Sequence, residues 1–212
     1  MTDCGIYALN YNVYRVWLEN NLKTNQFQEG LSKYWFEGDN FIMFYFHTGS
    51  SKDKKKKDGS KVLNYTTFSN FHPIKINAGI LGDKFKDIDT FSTEHLFQAA
   101  KYTQNNPEYA KKILLTPTAW DAAQMGRDRK IPGYDPDWDK KKFGIMLDIV
   151  REKAKICKEF KDELLSTSNK TLIENTNNAR SGDAIWGCGK DGKGMNYLGL
   201  VLMIVRDEIK DK

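Results

Sequence analysis

Three polar side chains between residues 92 and 102 have the types and the spacing to act together in chemistry. Glu94, Gln98 and Lys101 follow an i, i+4, i+7 spacing, and in a helix this places them within about 60° of one another on one face. One interpretation is a pocket lined by a carboxylate, an amide and an amine. The other is a solvent-exposed face whose N-terminal acid complements the helix dipole. The spacing does not distinguish between the two.

A short basic cluster at residues 126–130 is the second candidate. Arg127 and Arg129 lie in it, just past the predicted end of a helix. Basic residues at that point complement the negative end of the helix dipole. Two guanidinium groups can also clamp the oxygens of a phosphate in pairs of hydrogen bonds. The sequence leaves both roles open.

A glycine-rich loop at residues 182–194 is the third candidate. Glycine-rich backbone that leads into a helix can cradle an anion through its N–H groups. The loop lacks the spacing of a Walker A motif and of a dinucleotide-binding motif, so by spacing alone a structural loop is favoured. Asp183 and Trp186 strengthen the functional interpretation, since loops often carry sites and an indole can stack on a base.

The positive charge of the chain is concentrated in one tract. The 212 residues carry a formal net charge of +5, and residues 51–61 hold six Lys and two Asp, which leaves only +1 elsewhere. This distribution argues against a protein coated with basic residues for nucleic-acid binding. The tract is predicted to be a mobile loop that either makes weak, salt-sensitive contacts with DNA or RNA phosphates or is simply solvated.

Composition and cysteine usage predict an intracellular globular protein. A hydrophobic fraction of 40% with 13% aromatic residues is inconsistent with a disordered chain. Cys4, Cys157 and Cys188 form an odd, widely spaced set, which is typical of a reducing compartment. We find no secretory signal and no apolar run long enough to span a membrane, and therefore expect a cytoplasmic protein, or a nuclear one in a eukaryote.

The pattern of apolar residues predicts a mainly α fold with a small β part. Ser92 is expected to cap a helix that ends near Tyr102, and Asn106 one that starts at Pro107. Further helices are predicted from Thr118 to Met125 with a stop at Gly126, from Asp135-Pro136 through Leu164, and over the final apolar stretch from Leu198 to Ile209. Strands are predicted at 34–36 and 41–46 as a hairpin, at Ile74–Ile76 and at Thr171–Thr176.

In this order the segments resemble the NADAR family, the YbiA-like N-glycosidases. The resemblance covers about residues 41–210 and is carried by residues 68–75, 92–102, 125–129, Trp138 and 183–199. It implies a single YbiA-like α+β domain over residues 41–212, with residues 1–40 as an N-terminal extension and the Lys-rich loop at 51–61.

The resemblance also implies an activity, the hydrolysis of an N-glycosidic bond between a base and a phosphorylated ribose. Two substrate types are expected in the family: ADP-ribose attached to guanine bases, and phosphoribosyl-pyrimidine intermediates of riboflavin synthesis. Neither requires a metal or another cofactor. The implied catalytic residues are Glu94, Asp183 and Lys101. The implied substrate-binding residues are Asn70, Gln98, Arg127, Arg129, Trp138, Trp186, Gly187 and Asn196.

We expect removal of ADP-ribose from guanine in nucleic acid, because the Lys-rich tract suits a polymeric substrate. Two non-enzymatic alternatives remain: a module that binds ADP-ribose without cleaving it, and a nucleic-acid-binding module. Lys101 has two possible roles, as a counter-ion of Glu94 or as an amine that forms a Schiff base with the opened ribose. Burial would lower the pKa of Lys101 and a carboxylate would raise it, and the sequence favours the electrostatic role by a small margin.

Overall fold

The computed structural model describes residues 41–44, 65–176 and 182–210, and the chain forms two compact units. The larger unit comprises residues 44–168, and the smaller comprises residues 169–212 with the N-terminal part up to residue 43. The N-terminal extension at residues 1–40, with the predicted 34–36 strand of the hairpin, and the Lys-rich loop lie outside the described residues.

The larger unit is organised around one helix, α1, at Thr93–Ala100. Every residue of α1 is buried, which is unusual for a helix that carries Glu and Gln side chains. Three other helices pack directly against it. These are α2 at Pro107–Leu114, α3 at Ala119–Arg127 and α4 at Trp138–Ile156, and α4 is followed by α5 at Lys158–Ser166.

Side-chain caps fix where the first three helices begin, as the sequence predicts. The Ser92 hydroxyl accepts a hydrogen bond from the backbone N–H of His95 at 3.4 Å. The Asn106 side chain accepts one from Tyr109 at 3.1 Å, with Pro107 in the first turn. Thr118 caps α3 in the same way, and such caps stabilise a helix by about 1 kcal/mol.

Three predicted helix boundaries are wrong, and the first is the start of the long helix, which begins at Trp138 rather than at Asp135-Pro136. Gly126 does not end α3, because the helix continues to Arg127. The long helix predicted through Leu164 is two helices, since Cys157 has the non-helical angles φ −110° and ψ 97°. The Cys157 sulfur caps the second helix by accepting from the backbone N–H of Phe160 at 3.5 Å. The spacing of apolar residues is helical on both sides of Cys157, which is why the sequence pattern did not reveal the break.

The β part of the larger unit is a two-residue ladder. Strand β2 at Ile76–Asn77 pairs antiparallel with β3 at Asp89–Thr90, so the strand begins at the last residue of the predicted Ile74–Ile76. The Ile74 backbone N–H still donates to the Phe91 carbonyl at 2.9 Å. Between the strands lie two 3₁₀ helices, at Ala78–Leu81 and Asp83–Phe85.

The smaller unit is a helix on a two-stranded sheet. Strand β1 at Phe41–Phe44 pairs with β4 at Thr171–Glu174, and α6 at Tyr197–Lys210 packs on β4. A side chain at Gly199 would place its Cβ 2.1 Å from the Leu172 carbonyl oxygen, so glycine permits this close packing. None of the helices in the described ranges is long and apolar enough to cross a membrane.

The core of the larger unit holds a fully buried lysine. The Lys153 amine, on α4, donates to the Ser69 carbonyl at 2.9 Å and lies 4.9 Å from the centre of the Phe160 ring. Burial lowers the pKa of Lys153 to about 7, although Cys157 and Glu163 act in the opposite direction. The charged form of this amine is therefore less stable in the folded protein than in water.

This buried amine predicts a pH-dependent stability. Because its folded pKa lies below the unfolded value of 10.5, the unfolded chain binds more protons between about pH 7 and pH 10. The free energy of unfolding should therefore rise with pH across this window, by on the order of a few kcal/mol. Urea unfolding at several pH values measures the slope. Lys153→Met should flatten it, whereas Lys155→Met, on the exposed side of the same helix, should not. Equal slopes in all three proteins would contradict the prediction.

Candidate active site

The three polar side chains that the sequence places on one helix face form a buried, hydrogen-bonded line. Glu94, Gln98 and Lys101 are 6%, 4% and 8% exposed. The Gln98 amide donates to the Glu94 carboxylate at 2.7 Å, and the Lys101 amine donates to the Gln98 carbonyl oxygen. The solvent-exposed interpretation of this face is therefore wrong. Gln98 lies between a carboxylate and an amine and orients both.

Asn70 holds the start of α1, where Glu94 lies. The Asn70 carbonyl oxygen accepts from the backbone N–H of Glu94 at 3.0 Å. Its side-chain oxygen accepts from the Thr93 hydroxyl at 3.1 Å, and its side-chain amide lies 3.5 Å from the Met146 sulfur. These bonds fix the first turn of α1 and so the position of the carboxylate. A contact between Asn70 and substrate stays a prediction.

The Lys101 amine lies in an apolar, aromatic environment. It donates to the Gly126 carbonyl at 3.0 Å and lies 5.7 Å and 5.6 Å from the ring centres of Phe97 and Trp138. Burial lowers the pKa of Lys101 to about 8, Glu94 raises it, and the charges of Arg127 and Arg129 lower it further. Desolvation thus outweighs the carboxylate, a balance that the sequence does not give.

Trp138 contributes to this environment from the start of α4. Its ring packs on Phe97 with centroids 5.0 Å apart, and it is only 4% exposed. The described contacts of Trp138 are with the lysine and the core, and stacking on a substrate base stays a prediction. Phe97 is a residue that the sequence reasoning missed as part of the site. Its position four residues before Lys101 was the available signal.

Gly126 is the second missed residue. It does not end the helix; instead, it lets α3 pack closely against Gln98 of α1. A Cβ at this position would lie 2.1 Å from Oε1 and 2.6 Å from Cβ of Gln98. No side chain fits there, so α3 lies directly on Gln98 and presents the Gly126 carbonyl to Lys101. A glycine near a predicted helix end can thus serve close packing between helices instead of ending the helix, and the sequence alone does not distinguish the two roles.

The two arginines of the basic cluster lie at the exposed end of α3. Arg127 is the last residue of the helix, and its guanidinium carbon lies 5.9 Å from the Trp120 ring centre. The Arg129 guanidinium lies 5.4 Å from the Tyr134 ring centre. Both side chains are exposed, and both charges act on the pKa of Lys101. A role of either arginine in binding substrate phosphates stays a prediction.

Three backbone N–H groups at the N-terminus of α6 are bonded within the chain, so these three are not available to an anion. The backbone N–H groups of Asn196, Tyr197 and Leu198 donate to carbonyls of the loop at 3.2, 3.1 and 3.1 Å. The acceptors are Gly187, Ile185 and Trp186. The glycine-rich segment therefore packs on the start of the helix, and its carbonyl groups accept hydrogen bonds from these three N–H groups.

Asp183 shapes the first turn of the same loop. One carboxylate oxygen accepts from the backbone N–H groups of Ile185 and Trp186 at 2.8 and 2.9 Å. The Trp186 ring is half-buried and meets Tyr197 edge-on, with centroids 5.9 Å apart. At Gly187 a Cβ would lie 2.3 Å from the Thr176 methyl carbon. The catalytic role of Asp183 and the substrate contacts of Trp186 and Gly187 stay predictions.

Asn196 joins the loop to the sheet of the smaller unit. It is fully buried, with φ +51°. Its side-chain oxygen accepts from the Glu174 N–H at 2.9 Å, and its amide donates to the Leu172 carbonyl at 2.8 Å. The side chain therefore continues the hydrogen bonding of β4, and a substrate-binding role for it stays a prediction.

Comparison with known proteins assigns the family. The model of the NADAR domain matches residues 54–210, so the chain belongs to the NADAR family, as the sequence motifs predicted. The N-glycosidase YbiA of Escherichia coli is 36% identical over 149 residues, which cover 69% of this chain and 82% of YbiA. At the family level the protein is thus a hydrolase of glycosidic bonds.

Two further comparisons bear on fold and on substrate. The NMR structure of E. coli YbiA superposes with a TM-score of 0.60 at 30% identity, over 82% of this chain and 90% of that one, which confirms the α+β fold. The chloroplastic riboflavin biosynthesis protein PYRR of maize is 34% identical over 154 residues, which cover 68% of this chain but only 23% of the maize protein.

The contact between Gly126 and Gln98 generates a prediction. Gly126→Ala should lower the free energy of unfolding by about 1–3 kcal/mol, because the new methyl overlaps Gln98 and forces a shift of α1 or α3. The turnover rate of the folded variant should also fall, because a displaced Gln98 no longer orients Glu94 and Lys101. Thermal unfolding and turnover are the two measurements. Gly144→Ala is the matched control, because a Cβ at this helical position meets nothing within 4 Å. Equal behaviour of the two variants would contradict the role of Gly126.

Proposed function

We propose that the protein is an N-glycosidase that removes ADP-ribose from ADP-ribosylated guanine in nucleic acid. The observation that carries the catalytic part is the buried line from Glu94 through Gln98 to Lys101. Membership of the NADAR family supports the reaction type. The choice of ADP-ribosylated nucleic acid goes beyond the comparisons and rests on the charges described below.

Cleavage of an N-glycosidic bond requires a group that stabilises positive charge at the anomeric carbon. As the bond to the base breaks, the ribose acquires oxocarbenium character. A carboxylate fixed in a low-dielectric environment stabilises such charge strongly and needs no reorganisation. Glu94 is such a carboxylate, since Gln98 and the backbone bond to Asn70 hold it in place. The sequence also predicts Asp183 as a second catalytic carboxylate, and this role stays a prediction.

The environment of Lys101 supports a covalent role. With a pKa of about 8, roughly a tenth of the amine is neutral and nucleophilic at pH 7. The amine attacks the anomeric carbon as its bond to the base nitrogen breaks, and the base leaves with a proton. Ring opening then gives an imine between that carbon and Lys101. Water adds to the imine, and the amine departs to release ADP-ribose and the free lysine.

The preference for ADP-ribosylated nucleic acid rests on exposed positive charge. Arg127 and Arg129 lie within electrostatic range of the lysine and suit the two phosphates of ADP-ribose. The tract at residues 51–61 adds a net charge of +4, which suits a polymer.

A second candidate substrate is favoured by a relative's name. The maize protein is a riboflavin biosynthesis protein, which makes a phosphoribosyl-pyrimidine intermediate of that synthesis a reasonable alternative. Such a substrate carries a single ribose phosphate and no polymer. It would use the same carboxylate and amine.

A side-by-side assay by mass spectrometry tests the proposal. One reaction contains an oligonucleotide with ADP-ribosylated guanine, and the other contains phosphorylated aminopyrimidine ribosides. We expect release of ADP-ribose and recovery of unmodified oligonucleotide in the first reaction. Glu94→Gln, which keeps the shape and removes the charge, should reduce the rate by at least about 100-fold without lowering the melting temperature. Exclusive cleavage of the pyrimidine ribosides would overturn the substrate choice, and two intact substrates would indicate a non-catalytic binding module.

The covalent role of Lys101 makes a separate prediction. Because the neutral amine is the nucleophile, the rate should rise with pH until it levels off above about pH 8. Cyanoborohydride added during turnover should leave a reduced ribosyl adduct on the peptide that contains Lys101, detectable by mass spectrometry. Lys101→Arg should be inactive. If turnover leaves no adduct, and Lys101→Arg remains active, the lysine serves only as an electrostatic partner of Glu94.

A further inference from the structure

A stripe of exposed side chains follows α3 away from the buried amine. Trp120, Gln124 and Arg127 repeat the i, i+4, i+7 spacing and lie on one face of the helix. All three are exposed, and the Trp120 side chain is 50% exposed. A large indole in water is an unfavourable arrangement for a core residue and a common one for a contact residue.

The stripe is physically connected to the candidate active site. Gly126, in the last turn of α3, accepts the hydrogen bond of the Lys101 amine at 3.0 Å. Arg127, the next residue, lowers the pKa of that amine and lies against the Trp120 ring at 5.9 Å. A ligand that reaches the amine can therefore continue along α3 toward Trp120.

The charge at this end of α3 is suited to phosphates. Arg127, Arg129 and Lys130 are exposed cations, and the only acid among residues 126–130 is Asp128. One Asp128 carboxylate oxygen is engaged by the backbone N–H of Lys130 at 3.0 Å. Exposed cations beside an exposed aromatic ring are the combination by which proteins hold single-stranded nucleic acid, through phosphate contacts and base stacking.

We propose that Trp120 and the exposed face of α3 bind the single-stranded nucleic acid that flanks the modified guanine, with a base stacked on Trp120. This inference rests on the proposed function, because it assumes that the substrate is a polymer. It assigns Trp120 a role in selecting polymeric over small substrates. Trp120 takes no part in the chemical step.

Hydrolysis of two substrates tests this role. Trp120→Ala should raise the KM for an ADP-ribosylated single-stranded oligonucleotide by about 5- to 100-fold, the range that loss of one base stack produces. The kcat/KM for the ADP-ribosylated mononucleoside should fall much less, since this substrate has no flanking base to stack on the indole. Trp120→Phe, which keeps an aromatic ring, should have a KM for the oligonucleotide close to that of the wild type. Leu115→Ala is the control, since Leu115 is an exposed apolar residue, 66% exposed, at the end of α2.

Binding of an unmodified oligonucleotide separates this inference from the proposed function. Fluorescence anisotropy at low salt should show weaker binding of a labelled single strand to Trp120→Ala than to the wild type and to Leu115→Ala. If the protein cleaves neither substrate, the proposed function fails and this measurement still decides the role of Trp120. Unchanged oligonucleotide binding in Trp120→Ala, with a melting temperature like the wild type, would overturn the inference. Such a result would assign the exposed indole to a protein partner or to no partner.

Discussion

The arrangement of the larger unit depends on keeping three polar side chains inside a buried helix. An unpartnered polar group in a core costs on the order of 1–3 kcal/mol, and a charged one costs more. On α1 the cost is offset because Gln98 donates at one end and accepts at the other, between Glu94 and Lys101. The helices around α1 supply what the line still needs: a backbone carbonyl from α3 and an aromatic ring from α4.

Local sequence signals predicted the helix starts and failed where packing decides. Ser92, Asn106 and Thr118 cap their helices by bonds to backbone only three residues away, so the pattern alone contains the answer. Glycine commonly ends a helix, but Gly126 is required for close packing against Gln98, which lies 28 positions earlier in the chain. The partner of the 41–44 strand within the described residues is β4, a pairing that no local signal encodes.

The arrangement of Glu94, Gln98 and Lys101 on one helix face was predictable from the sequence, whereas its electrostatics was not. The spacing of Glu94, Gln98 and Lys101 on one face followed from helix geometry. Whether that face is buried depends on three other helices, and burial decides the pKa of Lys101. The glycine-rich loop shows the opposite case. Its composition suggests an anion site, whereas the backbone donors of Asn196, Tyr197 and Leu198, where the loop meets α6, are bonded to loop carbonyls.

The complete burial of α1 has a consequence for motion. Functional groups are often placed on segments of low local stability, where fluctuations are cheap. Here the carboxylate and the amide lie on a helix with no solvent-exposed residue, and amide hydrogens in such elements exchange only when the whole structure opens. Glu94 and Gln98 are thus held in place by the core, whereas exposed residues such as Arg127 and Arg129 can change without loss of the core.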